Sequence, residues 1–447
     1  MINTPICDFV RRYTQENAAR FHMPGHKGKA FLGCEPRDIT EIDGADNLYD
    51  AQGIIAQSEA HAGRLFGCHT FYSTEGSSLC IRAMLYLAIA AQKQQGQRPV
   101  IAAGRNAHKT FIHTAALLGF DIIWLYPEKA DAYHTCTVTG KEVDTVLSRA
   151  AEKPCAVFLT SPDYLGHESD IRSIADACHK HGVFLLVDNA HGAYLKFLSP
   201  SRHPIDLGAD MCCDSAHKTL PVLTGGAYLH IAKNASEAFS QHAREAMALF
   251  GSTSPSYLIL QSLDAVNPYL EVFRERLSAF IGKMDVLKEK LLNHGYTLHG
   301  SEPLKLTIET KPFGTTGDAL AQMLNNRGLI CEFHDPDYIV FMMTPENADE
   351  DLYRLEAALL EIGPQKPLTN KAPTYKKPKQ VLSLGEACFS PSETLPVSQC
   401  EGRVLAVATV SCPPAVPIVM CGEAIDKNAI ALFQYYGIKS CSVVKED

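Results

Sequence analysis

The alternation of strand-like and helix-like segments between residues 48 and 254 places the strongest limit on how this chain can fold. Such alternation is typical of a mostly parallel sheet that helices cover on both faces. Seven strands are predicted, near Thr70, Val100, Ile122, Ala156, Phe184, Met211 and Ala227. The sequence therefore predicts an α/β fold, and open sheets of this kind bind ligands beyond the carboxyl ends of their strands.

The 447 residues are enough for several domains around a large core. The predicted parts are an N-terminal arm over residues 1–47, a large domain over 48–254, a long helix with a small α/β domain over 255–362, a linker over 363–380 and a C-terminal domain over 381–447. Within 255–362, the expected elements are a helical stretch over 255–294, strands at 304–310 and 338–344, and helices at 317–327 and 349–362. The linker is rich in Pro and Lys, and the last region holds short β-like runs separated by prolines.

A lone lysine, Lys218, lies between two apolar segments. Residues 209–213 are predicted to end a buried strand, and residues 224–230 to form the returning strand. A lysine in apolar surroundings loses part of its preference for the charged form, so its amine can attack a carbonyl. That is the requirement for a Schiff base with pyridoxal phosphate (PLP). The alternative is a lysine whose ammonium group reaches solvent from a loop.

A carboxylate follows the apolar run at residues 183–187, which is typical of a strand buried on both faces. Asp188 is therefore expected at the carboxyl end of the strand, where a ligand would lie. A carboxylate there can hold a pyridine nitrogen protonated and make the ring an electron sink. His191 is close enough in the chain to reach the same ring. The alternatives are a strand-end turn aspartate and a hydrogen-bonded turn histidine.

A turn with small polar residues precedes a predicted buried helix over residues 79–87. Gly76, Ser77 and Ser78 would offer backbone N–H groups, two hydroxyls and the positive end of the helix dipole, which suit a phosphate. Serine-rich helix caps are also common without any ligand. The chain order of phosphate turn, acid and lysine makes the PLP interpretation much stronger than any one of these signals.

These segments resemble the prokaryotic ornithine/lysine/arginine decarboxylase family, whose members are fold type I PLP enzymes. The resemblance covers nearly the whole chain. It is carried by Phe-His-Met-Pro-Gly-His-Lys-Gly at residues 21–28, by residues 39–48, by Asn-Ala-His-Lys-Thr at 106–110, by Asp-Asn-Ala-His-Gly-Ala at 188–193, by Ser-Ala-His-Lys at 215–218, and by the C-terminal residues 402–404 and 412–417. The opening octet is the most specific of these motifs.

The resemblance implies roles for individual residues. Lys218 would be the Schiff-base lysine, Asp188 the partner of the pyridine nitrogen, and His108 the residue stacked on the ring. Gly76, Ser77, Ser78 and Ser215 would hold the phosphate, and His217 would lie beside the lysine, near phosphate and substrate. From the residues alone, His108 follows a predicted strand and is as readily explained as an ordinary N-terminal helix residue.

The chain departs from the family pattern at four positions. Asn189 stands where many members have Glu, and Tyr194 where a His is frequent. Ala415 and Cys421 stand where glycine and proline are usual. The first two changes bear on substrate identity, and the C-terminal changes bear on how that domain packs.

The composition is that of a globular enzyme, with 46% hydrophobic and 20% charged residues. A net charge of −9 without a basic stripe argues against nucleic acid as a partner and mildly favours a cationic substrate. No apolar run is long enough to span a bilayer, and the N-terminus lacks the layout of a signal peptide. The 15 cysteines are scattered without a Cys-x-x-Cys pair, which predicts no metal and reduced thiols in a cytoplasmic protein.

The predicted function is PLP-dependent decarboxylation of a basic L-amino acid to its amine and carbon dioxide. Arginine is placed ahead of lysine and ornithine, because short family members are often linked to arginine and polyamine synthesis. The alternatives are an aminotransferase or aldol-type lyase with the same cofactor, and a non-catalytic scaffold. The family's longer members carry a wing domain before the opening motif, for which this chain has no room, so a small assembly is expected. A homodimer with its active site at the interface is the minimum, since fold type I sites generally lie there.

Overall fold

The computed structural model describes residues 3–94, 99–127, 135–407 and 417–446. Its α-helices are α1 Pro5–Glu16, α2 Ile54–Phe66, α3 Gly76–Gln94, α4 Lys109–Leu118, α5 Gly140–Arg149, α6 Ile171–Lys180, α7 Ala216–Thr219, α8 Glu237–Ala248, α9 Tyr257–Glu271, α10 Phe273–His294, α11 Gly317–Asn325, α12 Asp349–Glu361, α13 Leu384–Phe389 and α14 Lys427–Tyr435. Its strands are β1 His69–Ser73, β2 Val100–Gly104, β3 Asp121–Leu125, β4 Ala156–Thr160, β5 Phe184–Asp188, β6 Met211–Asp214, β7 Ala227–Ile231, β8 Thr297–His299, β9 Lys305–Glu309, β10 Phe333–His334, β11 Tyr338–Met342, β12 Ser392–Pro396 and β13 Ser440–Val444.

Seven strands form the main sheet, in the order β1-β7-β6-β5-β4-β2-β3. The pairs β2–β3 and β5–β6 are parallel, whereas β7 runs antiparallel to both β6 and β1. Every strand predicted from an apolar run is present at its expected place. The prediction of an α/β fold with a mostly parallel sheet is therefore confirmed.

The first of two compact units contains residues 1–97, 155–157 and 171–277. Helix α3 is its central helix and packs on β1, β5, β6, β7 and α8. The side chains of Tyr72, Tyr228 and Phe66 are fully buried here, and their rings contact one another. This core fixes the carboxyl ends of β5 and β6 and the start of α3 within one packed body.

The second unit contains residues 98–154, 158–170 and 278–447. Its antiparallel four-stranded sheet has the order β10-β11-β9-β8, and helices α11 and α12 follow at the predicted positions. Strands β12 and β13 pair near the C-terminus around a separate apolar core that includes Leu405, Val419 and Phe433. The five-part domain division stays a prediction.

Some helices differ from the expectation. The stretch over 255–294 forms two helices, α9 and α10, separated at Val272. No helix was predicted in the N-terminal arm or in the C-terminal region, where α1, α13 and α14 lie. The buried residues of α1 and α14 have helical spacing, for example Ala429, Leu432 and Phe433 in α14, so periodicity could have revealed these two helices. The C-terminal region is thus a mixture of helix and strand.

Among the described residues, no helix is both long enough and apolar enough to cross a membrane. The fourteen described cysteines are all free thiols. Most of them are buried, where cysteine packs as a small apolar side chain.

Candidate active site

Asp188 is the last residue of β5 and is only 3% exposed. Its Oδ1 accepts a hydrogen bond from the backbone N–H of Ala190 at 3.2 Å and one from the thiol of Cys213 at 3.6 Å. Cys213 is its register partner on the parallel neighbour β6. Both contacts fall on one oxygen, so within the described structure Oδ2 remains available to a cationic partner.

Burial raises the pKa of the Asp188 carboxyl, because an ionised carboxylate loses its hydration. The charge of Lys218 acts in the opposite direction and lowers that pKa, which places the lysine within electrostatic range of the carboxylate. A protonated nitrogen that binds beside a buried, ionised carboxylate stabilises it, because the positive charge compensates for the lost hydration.

Lys218 lies on the single-turn helix α7, which begins directly after β6. Its backbone N–H donates to the carbonyl of Ser215 at 3.0 Å, and its side chain is half-buried. The fold therefore presents the amine from the carboxyl end of β6, next to the strand end that carries Asp188.

His217 is held by one carbonyl oxygen. The backbone N–H and Nδ1 of His217 both donate to the carbonyl of Gly226, at 3.2 and 2.9 Å. Because Nδ1 is the donor, the lone pair of the neutral ring is on Nε2. Burial lowers the pKa of His217, and the nearby charge of Lys218 lowers it further. The ring is therefore a neutral base that can accept a proton at Nε2.

The turn that is predicted to bind phosphate forms the start of α3. Gly76 has a φ of +69°, and its N–H donates to the carbonyl of Gly225 at 2.7 Å. A Cβ built on Gly76 would meet no atom within 4 Å, so open space lies over the first helical turn. The hydroxyl of Ser215 donates to the hydroxyl of Ser77 at 2.9 Å, while Ser77 and Ser78 are partly exposed. This open, hydroxyl-lined helix start has the donor chemistry that a phosphate requires.

The two predicted ring-contacting histidines lie in different compact units. His191 is buried in the turn after β5, in the first unit. His108 is the N-cap of α4 in the second unit, where its Nδ1 accepts from the backbone N–H of Thr110 at 3.2 Å. The first unit thus brings together Asp188, His191, Ser215, His217, Lys218 and the Gly76–Ser78 turn, whereas His108 has a capping contact.

The positions that depart from the family pattern are mostly buried. Asn189 donates through Nδ2 to Asp214 Oδ1 at 2.6 Å, and Tyr194 is fully buried after β5. Cys421 donates to the carbonyl of Ala406 at 3.2 Å, so it packs inside the C-terminal region. Ala415 and most of the motif at 412–417 lie outside the described residues.

The sequence reasoning missed a buried group around Asp214. This carboxylate contacts His203 and His230 in addition to Asn189. Asp214 follows the apolar residues 209–213, just as Asp188 follows 183–187, so the same strand-end rule could have identified it. The two histidines carry no comparable local signal.

Two family models match the chain. Residues 4–295 match the model described as Orn/Lys/Arg decarboxylase, major domain, and residues 370–441 match Orn/Lys/Arg decarboxylase, C-terminal domain. The chain belongs to the Orn/Lys/Arg decarboxylase family. It is accordingly an amino-acid decarboxylase of the class that acts on basic amino acids, and the resemblance inferred from its motifs is confirmed.

Relatives match along almost the whole length of this family member. The uncharacterized protein YaaO of Bacillus subtilis (strain 168) is 28% identical over an alignment of 459 positions, which covers 96% of this chain and 93% of that protein. A second protein of the same organism, named arginine decarboxylase, is 27% identical over an alignment of 464 positions, which covers 96% of this chain and 92% of that protein.

Solved structures show the same fold at low sequence identity. The lysine decarboxylase LdcF of Francisella novicida has a TM-score of 0.81 at 17% identity, covering 99% of this chain and 81% of that one. A structure of SPT with PLP has a TM-score of 0.55 at 13% identity, covering 71% of this chain and 79% of that one. These likenesses show the fold, which is that of fold type I PLP enzymes.

Proposed function

We propose that this decarboxylase binds PLP between Asp188 and the start of α3, holds it covalently through Lys218, and removes the α-carboxylate of L-arginine. The observation that carries the proposal is the position of Asp188 and Lys218 at the carboxyl ends of the adjacent strands β5 and β6, beside the contact between Ser77 and Ser215. A carboxylate, an amine and a hydroxyl-lined helix start are the three groups that PLP chemistry requires.

Asp188 is proposed to bind the protonated pyridine nitrogen. PLP, when bound, supplies an electron-accepting ring that takes up the electron pair left as carbon dioxide departs. The burial that raises the pKa of Asp188 also strengthens its attraction for a protonated nitrogen, because little water screens the pair. Its contacts with Ala190 and Cys213 keep the carboxylate in one orientation.

Lys218 and His217 are proposed to handle the protons. Lys218 would hold the cofactor through Nζ, and its amine would lie near the reacting carbon once the substrate is bound. Either Lys218 Nζ would return a proton to the substrate Cα, or His217 Nε2 would do so after accepting a proton from the incoming substrate ammonium. Since His217 Nδ1 is held by the Gly226 carbonyl, only Nε2 of this ring can exchange a proton.

The phosphate is proposed to bind at the start of α3. The backbone N–H groups that follow Gly76 and the hydroxyls of Ser77, Ser78 and Ser215 would donate to its oxygens, and the open space over Gly76 would admit it. His191 is proposed to contact the ring, and the stacking role that the family resemblance implies for His108 stays a prediction. Together these groups would orient the substrate's carboxylate bond relative to the ring, which is the protein's main contribution to the rate.

Arginine is proposed ahead of lysine and ornithine. The relative named arginine decarboxylase aligns with nearly the whole chain, and the net charge of −9 favours a cationic substrate. Among the acidic residues near the opening arm, Asp46 accepts from the backbone N–H groups of Gln52, Gly53 and Ile55. Asp46 therefore caps the start of α2, which leaves Glu41 and Asp43 as the acidic candidates of the arm for the substrate's tip.

A homodimer in the cytoplasm is the proposed working form. The N-terminal arm exposes large apolar side chains, with Phe21 96% and Leu32 89% exposed in the single chain. A second subunit covering this arm would remove that apolar surface from water. Sedimentation velocity of the PLP-loaded protein should give the mass of two chains, and a monomer at micromolar concentration would contradict the proposal.

The decisive experiment for the function is a substrate panel. The PLP-loaded protein is incubated with arginine, lysine and ornithine, with glutamate and aromatic amino acids as controls, while amine and carbon dioxide are both quantified. We expect equimolar amine and carbon dioxide, with the highest kcat/KM for arginine. Turnover of a control alone, or a keto acid in place of carbon dioxide, would overturn the proposal.

A further inference from the structure

The carboxylate of Asp214 is completely buried at the end of β6 and has no part in the chemistry proposed above. Its Oδ1 accepts from Asn189 Nδ2 at 2.6 Å. Its Oδ2 accepts from Nε2 of both His203 and His230, at 3.1 and 3.2 Å. Three donors from three separate segments therefore converge on one carboxylate.

The contacts indicate that Asp214 is ionised. Burial by itself would raise the pKa of this carboxyl, but His203 and His230 hold it well below its usual value. Burial lowers the pKa of His230, yet Cys68 and Asp214 together leave it above its ordinary value. His230 therefore offsets the charge of Asp214. His203 Nδ1 has no partner in the described structure, so His203 contacts the cluster through its Nε2–H, which donates to Asp214.

His203, Asp214 and His230 are also residue types that bind metals. However, both imidazole Nε2 atoms lie at hydrogen-bond distance from the same carboxylate oxygen, which is the geometry of two N–H donors sharing an acceptor. A closed structural zinc site takes four protein ligands, whereas the described part of the chain supplies three here. The contacts therefore favour a hydrogen-bonded cluster.

The position of this cluster connects two parts of the proposed cofactor site. Asn189 directly follows Asp188, and Asp214 directly precedes Ser215, whose hydroxyl contacts Ser77. The backbone N–H of Asn189 also donates to the carbonyl of Cys213 at 3.0 Å. The side-chain bond from Asn189 to Asp214 thus joins the residue after the pyridine partner to the residue before the phosphate ligand.

We propose that Asp214 is a positioning residue. Through its hydrogen bond with Asn189, it fixes the distance between Asp188 and Ser215. That distance determines whether the PLP ring and the PLP phosphate can reach their ligands at the same time. This inference depends on the proposed function, since it assigns a purpose to the spacing of two cofactor contacts. Asn189 is a positioning residue for the same reason, because its amide joins the two strand ends.

An isosteric exchange of the side chains at positions 189 and 214 tests whether their hydrogen bond positions the cofactor contacts. In Asn189→Asp, two buried carboxylates face each other at the present contact. In Asp214→Asn, an amide N–H faces either the Asn189 amide or an imidazole N–H. In the double variant, the amide at 214 can accept from both imidazoles and donate to the new carboxylate at 189, so all three hydrogen bonds are restored. A third single variant, Asn189→Ala, removes only the connecting bond and leaves Asp214 with both histidines.

The primary readout is the PLP dissociation constant, measured from the visible absorption of the bound cofactor without turnover. We expect each of the three single variants to weaken PLP binding at least about tenfold, the scale of one hydrogen bond to a charged group. We expect the double exchange to return within about threefold of the wild type, with the visible absorption maximum restored. Asp264→Asn is the matched control, since Asp264 is another buried carboxylate, which holds Ser58 and the backbone of Ile6. It should lower thermal stability and leave PLP affinity unchanged.

The possible failures are distinguishable. If the wild-type chain takes up no PLP, the proposed function and this inference fall together. If the wild type binds PLP but Asn189→Ala binds it equally well, the inference alone is overturned. The inference is also overturned if the double exchange recovers thermal stability but not PLP affinity. It is likewise overturned if one equivalent of zinc copurifies with the wild type and is lost in Asp214→Asn.

Discussion

The Ser215 hydroxyl donates to the Ser77 hydroxyl across 2.9 Å, although the two serines are 138 residues apart in the chain. Ser215 follows β6, and Ser77 lies in the first turn of α3. The contact brings the residue three positions before Lys218 to the helix start proposed to bind phosphate. It therefore holds the segment that leads to Lys218 against the start of α3.

Removing the Ser215 hydroxyl should weaken cofactor binding. Ser215→Ala deletes the hydroxyl whose single proton is donated to Ser77 here and would be donated to the phosphate when PLP is bound, which corresponds to about 1.5–3 kcal/mol for a hydrogen bond to a charged group. We expect a PLP dissociation constant at least about tenfold higher. Ser240→Ala, on the exposed face of α8, is the control and should bind PLP like the wild type. Equal affinity of Ser215→Ala and the control would remove Ser215 from the phosphate site.

Lys218 is expected to carry the cofactor. Borohydride reduction of the PLP-loaded protein, followed by peptide mapping, should find the reduced cofactor on the peptide that contains Lys218. Lys218→Arg should bind PLP without a covalent bond and lose activity by about 1,000-fold or more, because an amine that forms and exchanges the bond is missing. A label on Lys27 or Lys109 would refute the assignment.

Replacing Asp188 by asparagine should reduce turnover while the fold is kept. The neutral amide cannot hold the pyridine nitrogen protonated, so the electron sink is weakened. The loss should be about 100-fold or more in kcat, comparable to other deletions of a charge partner in an active site. Circular dichroism should be unchanged, and PLP should still bind. Activity close to that of the wild type would mean that Asp188 has a structural role only.

The same substitution should stabilise the cofactor-free protein near pH 7. The pKa of Asp188 is raised above its ordinary value of 3.8 by burial, so the folded state binds this proton more tightly than the unfolded state does. Stability contributed by this group is therefore greatest below about pH 3.8 and is lost as pH rises through the folded-state pKa. Asp188→Asn lacks that loss, so denaturant unfolding without PLP should show a more stable variant at pH 7 and a smaller difference at pH 3.5. Saturating PLP should reverse the order at pH 7. If the difference in unfolding free energy between the variant and the wild type is the same at both pH values, the raised pKa of Asp188 is contradicted.

A buried ion pair in the second unit should dominate the stability of that unit. The Arg105 guanidinium donates to Glu423 Oε2 at 2.8 Å, and both side chains are almost inaccessible to solvent. Glu423→Gln leaves the arginine charge buried without its partner, which should cost about 3–5 kcal/mol. Glu361→Gln is the matched control, because Glu361 pairs with Arg327 at an exposed site and should cost less than about 1 kcal/mol. Denaturant unfolding of the two variants measures the difference, and equal costs would show that the buried pair is not important to stability.

The sheet could be predicted because its strands carry local signals. β5 and β6 are mostly apolar runs, and the observed β5 is shifted by one residue from the predicted run at 183–187. Asp188 could be placed for the same reason, since a carboxylate that ends a buried parallel strand lies where ligands bind. The roles of the site residues stay predictions for the experiments above.

The contacts around Asp214 could not be predicted, because they join residues that no local pattern connects. His203 lies in a loop and His230 within β7, and only the folded chain brings their rings to one carboxylate oxygen. Arg105 and Glu423 are 318 residues apart, and neither differs in sequence from an ordinary surface charge. Buried polar partners depend on tertiary packing, so periodicity and strand-end rules contain no information about them.

Cys212 and Cys213 directly precede Asp214, are fully buried, and have pKa values raised well above the usual thiol range by that burial. Folded molecules therefore present almost no thiolate at this strand end, and a thiol-specific reagent can react there only during an opening that admits solvent. The rate at which these two thiols are alkylated therefore measures how often this strand end opens. The slowing of alkylation at these two sulfurs on adding PLP would report, in seconds or hours, how firmly the ligand closes the end of β6.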